Sequence, residues 1–247
     1  MKLRAIEVVE DRTPDSRCDE GFLRIARLVV RNHYEDGTRS EPYPCDVVRR
    51  PGSDAVVAVL YEVDRQGRVQ VLLREAARVP VYLRKHGRYV HPDPREYLSL
   101  REVVAGMVEE SDPPGTAGQR RRAALEAREE AGIETDPADF QPLGGETFAS
   151  PGTTDEKLFF VAARTPLEPA AAGGDGSVME EWCVLHRMEL GEAIAACRSG
   201  AIPDMKTEVA LLRLADHLGY VPQLGRWEKD LPESLRADPL GVERRAP

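Results

Sequence analysis

Between residues 119 and 131 the chain consists almost entirely of strong helix formers, and it halts at Gly132, a residue suited to the left-handed position that ends a helix. This helix separates two stretches of another kind. Upstream, β-branched and apolar runs at 22–30 and 43–48 flank the turn signal Glu35-Asp36-Gly37 and predict an antiparallel hairpin. Runs of β formers at 54–63 and 68–73, joined by Asp64-Arg65-Gln66-Gly67, predict two more strands, and 98–104 a further one ending at Ala105-Gly106. Downstream, strands are expected at 141–148, 157–163 and 181–185, then helices at 188–198 and 206–218. Strands before and after a central helix, closed by C-terminal helices, predict an α/β (α+β) fold with a mixed sheet flanked by helices. The expected organisation is an N-terminal antiparallel β extension at 1–50, a main domain at 51–220 and an irregular tail at 221–247, where prolines recur. Residues 80–98 show no period and read as loop or short edge strands. Residues 111–118, Ser-Asp-Pro-Pro-Gly-Thr-Ala-Gly, read as irregular, and 165–177 as a flexible lid or linker.

Charge narrows the partners. With 34 basic against 43 acidic side chains the formal charge is −9, which disfavours nucleic acid and anionic membranes, since both require a positive surface. The longest apolar stretch, 55–61, is far short of the roughly 20 residues that span a bilayer. The N-terminus alternates charge with apolar residues and has no secretory pattern, so a cytoplasmic location is the default expectation. Four cysteines lie far apart with no Cys-x-x-Cys pair, which indicates neither a zinc site nor a disulfide framework.

The chemistry concentrates in Glu126-Ala127-Arg128-Glu129-Glu130-Ala131-Gly132-Ile133. Positions 126, 129 and 130 are three and four residues apart, so their carboxylates share one helix face and repel. They also sit in the last turn, where the helix dipole favours cations and each misplaced charge costs about 0.3–1 kcal/mol. A solvated acidic face is one reading. A divalent cation, which would remove every one of these penalties, is the other. Two or three carboxylates with the remaining positions left to water and phosphate oxygens suit Mg²⁺ or Mn²⁺, and imply a phosphate substrate.

Gly106, followed after a loop by Glu126-x-x-Glu129-Glu130-x-Gly132-Ile133, resembles the Nudix signature GX5EX7REUXEEXGU, where U is aliphatic. Neighbouring segments are similar to the ADP-ribose pyrophosphatase branch of that superfamily. Glu102-Val-Val-Ala-Gly106 resembles its strand entering the box, Ser150-Pro-Gly-Thr-Thr-Asp-Glu-Lys157 its loop after the box, and Gly200-Ala-Ile-Pro-Asp-Met-Lys-Thr207 its C-terminal segment. Arg74, Arg78 and Pro80 resemble its Arg-Gln-x-Arg-x-Pro run. The match departs from the signature twice. About five extra residues separate Gly106 from Glu126, leaving Asp112 where the first signature Glu would stand; each doubling of loop length costs only about 0.6 kcal/mol. Leu125 replaces the Arg that in the family supports the metal-binding carboxylates from behind; of Arg121, Arg122 and Arg128, Arg122, one turn before Glu126, is best placed to substitute.

The resemblance implies a Nudix-type α/β/α sandwich and a Mg²⁺-dependent hydrolase of a small nucleoside diphosphate sugar such as ADP-ribose. It implies a homodimer with N-terminal strands packed across the interface, with Tyr34 in a region that helps form the base site. It makes Glu126, Glu129, Glu130 and the Ala105 carbonyl metal ligands, places Glu102 near the diphosphate, and offers Arg74 and Arg78 to diphosphate or ribose, structural ion pairs being the alternative. The family's general base is a Glu on a loop after the box. Glu180 and Glu181 are the nearest match, with Glu156 as rival. The competing functional reading is a weak or inactive Nudix domain that binds a nucleotide sugar as sensor or scaffold.

Overall fold

The run at 55–60 shows no alternation because both faces of the strand it forms are covered. The computed structural model describes residues 21–93, 95–168 and 182–233. In chain order these form β1 (Arg24–Val30), β2 (Tyr43–Arg49), β3 (Ala55–Val63), β4 (Val69–Ala77), α1 (Val79–Tyr82), β5 (Ser99–Glu102), β6 (Val104–Met107) and α2 (Thr116–Ala131). There follow β7 (Gln141–Pro142), β8 (Thr147–Phe148), β9 (Lys157–Arg164), β10 (Cys183–Glu189), α3 (Leu190–Arg198), α4 (Met205–Leu218), β11 (Tyr220–Val221) and β12 (Arg226–Trp227).

The central sheet runs β10-β4-β3-β9-β7, with β9 parallel to β3 and the other pairings antiparallel. The β3–β4 hairpin pairs only at 61–63 with 69–71. Beyond that the two strands part, and one bent segment fills the gap: β5 pairs with β4, and after a break at Val103, β6 pairs with β3. Val56, Ala58 and Leu60 pack with Val104 beneath α2 through Ala123, Ala127 and Ala131. Val57 and Val59, on the opposite face, pack with Leu73 and Phe160 against Leu190 and Ile194 of α3 and Leu211 and Leu214 of α4. The expected α/β/α sandwich with a mixed sheet is therefore the observed architecture. The β1–β2 hairpin forms its own two-stranded sheet and meets the loop between β8 and β9, where the Val48 amide donates to the Thr153 carbonyl.

Several boundaries differ from those read in the sequence. Helix α2 begins at Thr116, inside the stretch expected to be irregular. Gly118 permits this, since a side chain there would overlap the Pro113 carbonyl, so the preceding loop can fold flat against the first turn. At the other end Gly132 takes φ 64°, and its amide and that of Ile133 close on the Arg128 and Ala127 carbonyls. Residues 79–86, expected to be loop or edge strand, are helical, with Pro80 in the first turn where its missing N–H costs nothing. The strand expected over 141–148 is two dipeptide strands. Residue Met188 continues β10 instead of opening a helix. The described part of the tail forms the β11–β12 ladder, because the Tyr220 and Trp227 rings meet at a tilt 5.0 Å apart and pack on the core. Among the described residues no helix is long and apolar enough to cross a membrane.

Candidate active site

The splayed end of the β3–β4 hairpin and the C-terminal half of α2 bring the acidic residues together. Gly106 lies on β6 directly under α2, and a Cβ there would overlap the Glu126 carboxylate. Only a residue without a side chain lets that carboxylate rest against the strand carrying the Ala105 carbonyl. One turn on, Glu130 is buried; its Oε1 is 2.8 Å from Arg74 Nη1, and its Oε2 accepts the Ala105 amide at 3.1 Å. Glu129 is partly exposed on the same helix, with Oε1 3.6 Å from Arg128.

Beside this lies a second charged group. Arg74 on β4 is in register with Glu102 on β5, and both are buried. Glu102 accepts from Arg78 Nε at 2.5 Å and from Lys206 Nζ at 3.1 Å. Asp204 caps α4 by accepting the Thr207 amide at 2.9 Å and stands 3.3 Å from Lys206. The fully buried Thr207 hydroxyl donates to Asp204 and accepts the Val103 amide at 3.0 Å, fixing the corner between β5 and β6. Burial works against the charge on Arg78, but Glu102, Glu130 and Asp204 together raise its pKa above the ordinary guanidinium value. Lys206 is raised above 10.5 in the same way by Glu102 and Asp204, against its burial. Three cations thus interleave with three carboxylates in one network.

One turn before Glu126 on α2, Arg122 reaches toward its carboxylate. It is buried, with Nε 2.9 Å from Asp112, Nη2 3.0 Å from Glu109 and Nη1 3.7 Å from Glu126. The enlarged 108–115 loop carries Glu109 and Asp112 to it. Burial alone would lower its pKa; Asp112 and Glu109 outweigh that.

The structure thus gathers Arg74, Arg78, Glu102, Ala105, Glu126 and Glu130 around Gly106, with Glu129 on the same helix. Arg74 is turned inward to Glu130, so the ion pair is the arrangement seen. Arg78 keeps more of its side chain exposed. Glu156 is 2.5 Å from Arg50. Glu180 and Glu181 lie outside the described residues. Sequence reasoning did not single out Lys206, Asp204 or Thr207. An Asp followed three residues later by Thr ahead of an apolar helix was a legible cap, whereas nothing in the local pattern marks Lys206.

Carboxylate oxygens of Glu126, Glu129 and Glu130 with the Ala105 carbonyl are chemically a set that a hard divalent cation accepts. The Gly106 cradle, which a methyl group would fill, fits that use. Among the described residues no three acidic, His or Cys side chains are gathered closely enough to hold a metal ion as a group; Glu130 meets Arg74 and the Ala105 amide instead.

Sequence comparison finds no match among protein-family models or curated proteins. Among solved structures, a crystal structure described as an ADP compounds hydrolase is similar with a TM-score of 0.56 at 14% identity, over 85% of this chain and 89% of that one. At that identity the likeness is one of fold, and it extends over nearly the whole of both chains.

Proposed function

We propose that this chain is a Mg²⁺-dependent hydrolase of the Nudix type that cleaves the diphosphate of a nucleoside diphosphate sugar, ADP-ribose being the first candidate, with Mn²⁺ as an alternative ion. The observation that carries this reading is the seating of the Glu126 carboxylate on Gly106, beside Glu130 and the Ala105 backbone. Glu126, Glu129, Glu130 and the Ala105 carbonyl would hold the ion, which when bound offsets phosphate charge and makes a coordinated water more acidic. Arg78, charged and partly exposed at the edge of the network, is placed to meet phosphate oxygens with its planar fork. Arg74 holds Glu130 in place, and Glu102 holds Arg78 and Lys206. A water attacks one phosphorus, its proton passes to a carboxylate, and the opposite P–O bond breaks to give a nucleoside monophosphate and a sugar phosphate. The resemblance assigns that proton to Glu180 or Glu181. Glu156 is less suited, because its carboxylate is already engaged by Arg50 at 2.5 Å. The exposed apolar residues of the β1–β2 region, including Val29, Tyr34 and Tyr43, suit the homodimer.

Incubation with ADP-ribose and Mg²⁺ should yield AMP, and Glu129→Gln and Glu130→Gln should each abolish it. Full turnover in both variants would sink the assignment. One observation favours a second reading, a nucleotide-sugar sensor without turnover: Glu130 is neutralised by Arg74 within the protein itself. That reading expects ADP-ribose binding with no AMP over hours.

A further inference from the structure

In the link from β4 to β5, residues 84–95 set four cations and two histidines against Asp93 alone, in a chain whose net charge is −9. This segment folds around a cavity of about 610 Å³ whose wall includes Arg84, Lys85, Arg88, Tyr89, Asp93 and Arg95. Two of the cations are neutralised in place: Arg84 lies 2.9 Å from Asp93, and Lys85 lies 3.5 Å from Glu96. The other two are not. Arg95 donates to the Gly200 carbonyl and lies over the Tyr97 ring, with no carboxylate partner among the described residues. Arg88 is exposed and makes no hydrogen bond or ion pair with any described residue. The cavity therefore presents two uncompensated guanidinium groups.

Its aromatic wall is fixed in position. The Tyr89 ring folds back onto Gly87, where an added Cβ would stand 2.5 Å from the ring, and the Arg84 guanidinium covers the ring 4.0 Å from its centroid. Gly87 has φ −82° and ψ 158°, open to any residue, so it is the ring's approach and not the backbone that calls for glycine. None of the lining residues belongs to the carboxylate network around Gly106.

We propose that this cavity binds a phosphate group carried on a small organic molecule, the guanidinium groups of Arg88 and Arg95 meeting the phosphate oxygens and Tyr89 flanking the organic part. Guanidinium forks match phosphate geometry, and the volume is in the range of small-molecule sites, well beyond what a bare inorganic anion fills. The phosphate has two possible sources, the far end of the hydrolase substrate or a separate phosphorylated effector. The site itself does not rest on the hydrolase reading; only the choice between sources does.

The test measures binding of AMP and of inorganic phosphate by calorimetry in EDTA, where the acidic site without cations repels phosphate. AMP should bind the parent protein, and Arg88→Glu, an exposed change that leaves the fold intact by circular dichroism, should weaken it at least tenfold. Gly87→Ala, which displaces Tyr89, should weaken AMP while leaving inorganic phosphate unchanged. Equal AMP affinity in parent and Arg88→Glu, or no AMP binding to the parent at millimolar concentration, would overturn the proposal. With Mg²⁺ and ADP-ribose, a raised KM in Arg88→Glu assigns the phosphate to the substrate. An unchanged KM with AMP-dependent kcat assigns it to an effector; both support the cavity as the anion site. Absence of turnover removes the hydrolase reading and leaves the binding result standing.

Discussion

Replacing Arg122 by leucine removes the cation on which the back of the site depends. Arg122 is 6% exposed, and its guanidinium joins Asp112, Glu109 and Glu126. Glu109 is 58% exposed, so that contact contributes at most about 1 kcal/mol. Asp112 has no exposed side-chain surface, and breaking a buried pair by removing one partner costs about 3–5 kcal/mol. Arg121 lies 3.7 Å from the other Asp112 oxygen and will carry part of the charge, which places the cost near the low end, about 3 kcal/mol. At roughly 2–4 °C per kcal/mol for a chain of this size, the melting temperature should fall by about 6–12 °C. Arg122→Leu combined with Asp112→Leu should recover most of that loss, because an apolar pair of this kind is close to neutral. AMP formation should stay impaired in the recovered double variant, since Glu126 has still lost its contact with Arg122. Thermal melts and urea titrations of the four proteins in the cycle read the coupling. A fall under 2 °C in the single variant, or a double variant no more stable than the single, would refute the reasoning.

Gly106→Ala should push the Glu126 carboxylate off its strand and lower AMP formation by about 10²-fold, with Mg²⁺ saturating; an activity equal to the parent's would show that the cradle does not matter. Arg74→Met should leave the buried Glu130 carboxylate without its cation at a cost of about 3 kcal/mol in urea, the Ala105 amide still donating to it, and Glu130→Gln in that background should restore stability; no recovery would mean Arg74 acts mainly by packing. Burial would raise the Glu75 carboxyl, but Ser99, Arg101 and His186 outweigh it and hold it below 4.5. Its contribution is therefore complete above pH 4.5 and is lost as pH falls through the lowered folded value, so Glu75→Gln should flatten the decline in melting temperature below pH 4.5. An acid limb as steep as the parent's counts against that role.

How legible these features were in the sequence follows from how local their causes are. The central helix and its stop at Gly132 were readable because propensity and cap are properties of neighbours. The strand at 55–63 was readable from β-branched composition, although its double-sided burial left no alternation to mark which face meets which helix. The helical turn at 79–86 was not, since its Arg and Pro content shows no period and it is shaped by Tyr82 packing inward. The tail ladder escaped because proline spacing outweighed one Tyr–Trp contact that exists only once the core is present. The acidic residues of α2 were legible by spacing, and Arg122 by being one turn from Glu126. Which cation meets which carboxylate was not: Lys206 reaches Glu102 across 104 positions, and no local pattern encodes such a distance.

The bend at Val103 ties the site to the order of synthesis. The Val103 amide hangs from the Thr207 hydroxyl, a residue made 104 positions later. A nascent chain that has not reached Thr207 can pair β5 with β4 and β6 with β3, but the corner between them lacks the side-chain bond that fixes the Val103 amide. Amide exchange at Val103 in Thr207→Val reads this directly, with fast exchange expected and parent-like protection refuting it. Until α4 docks, the acidic residues of α2 face an unset strand, so the chain completes its cleft only once α4 has been made.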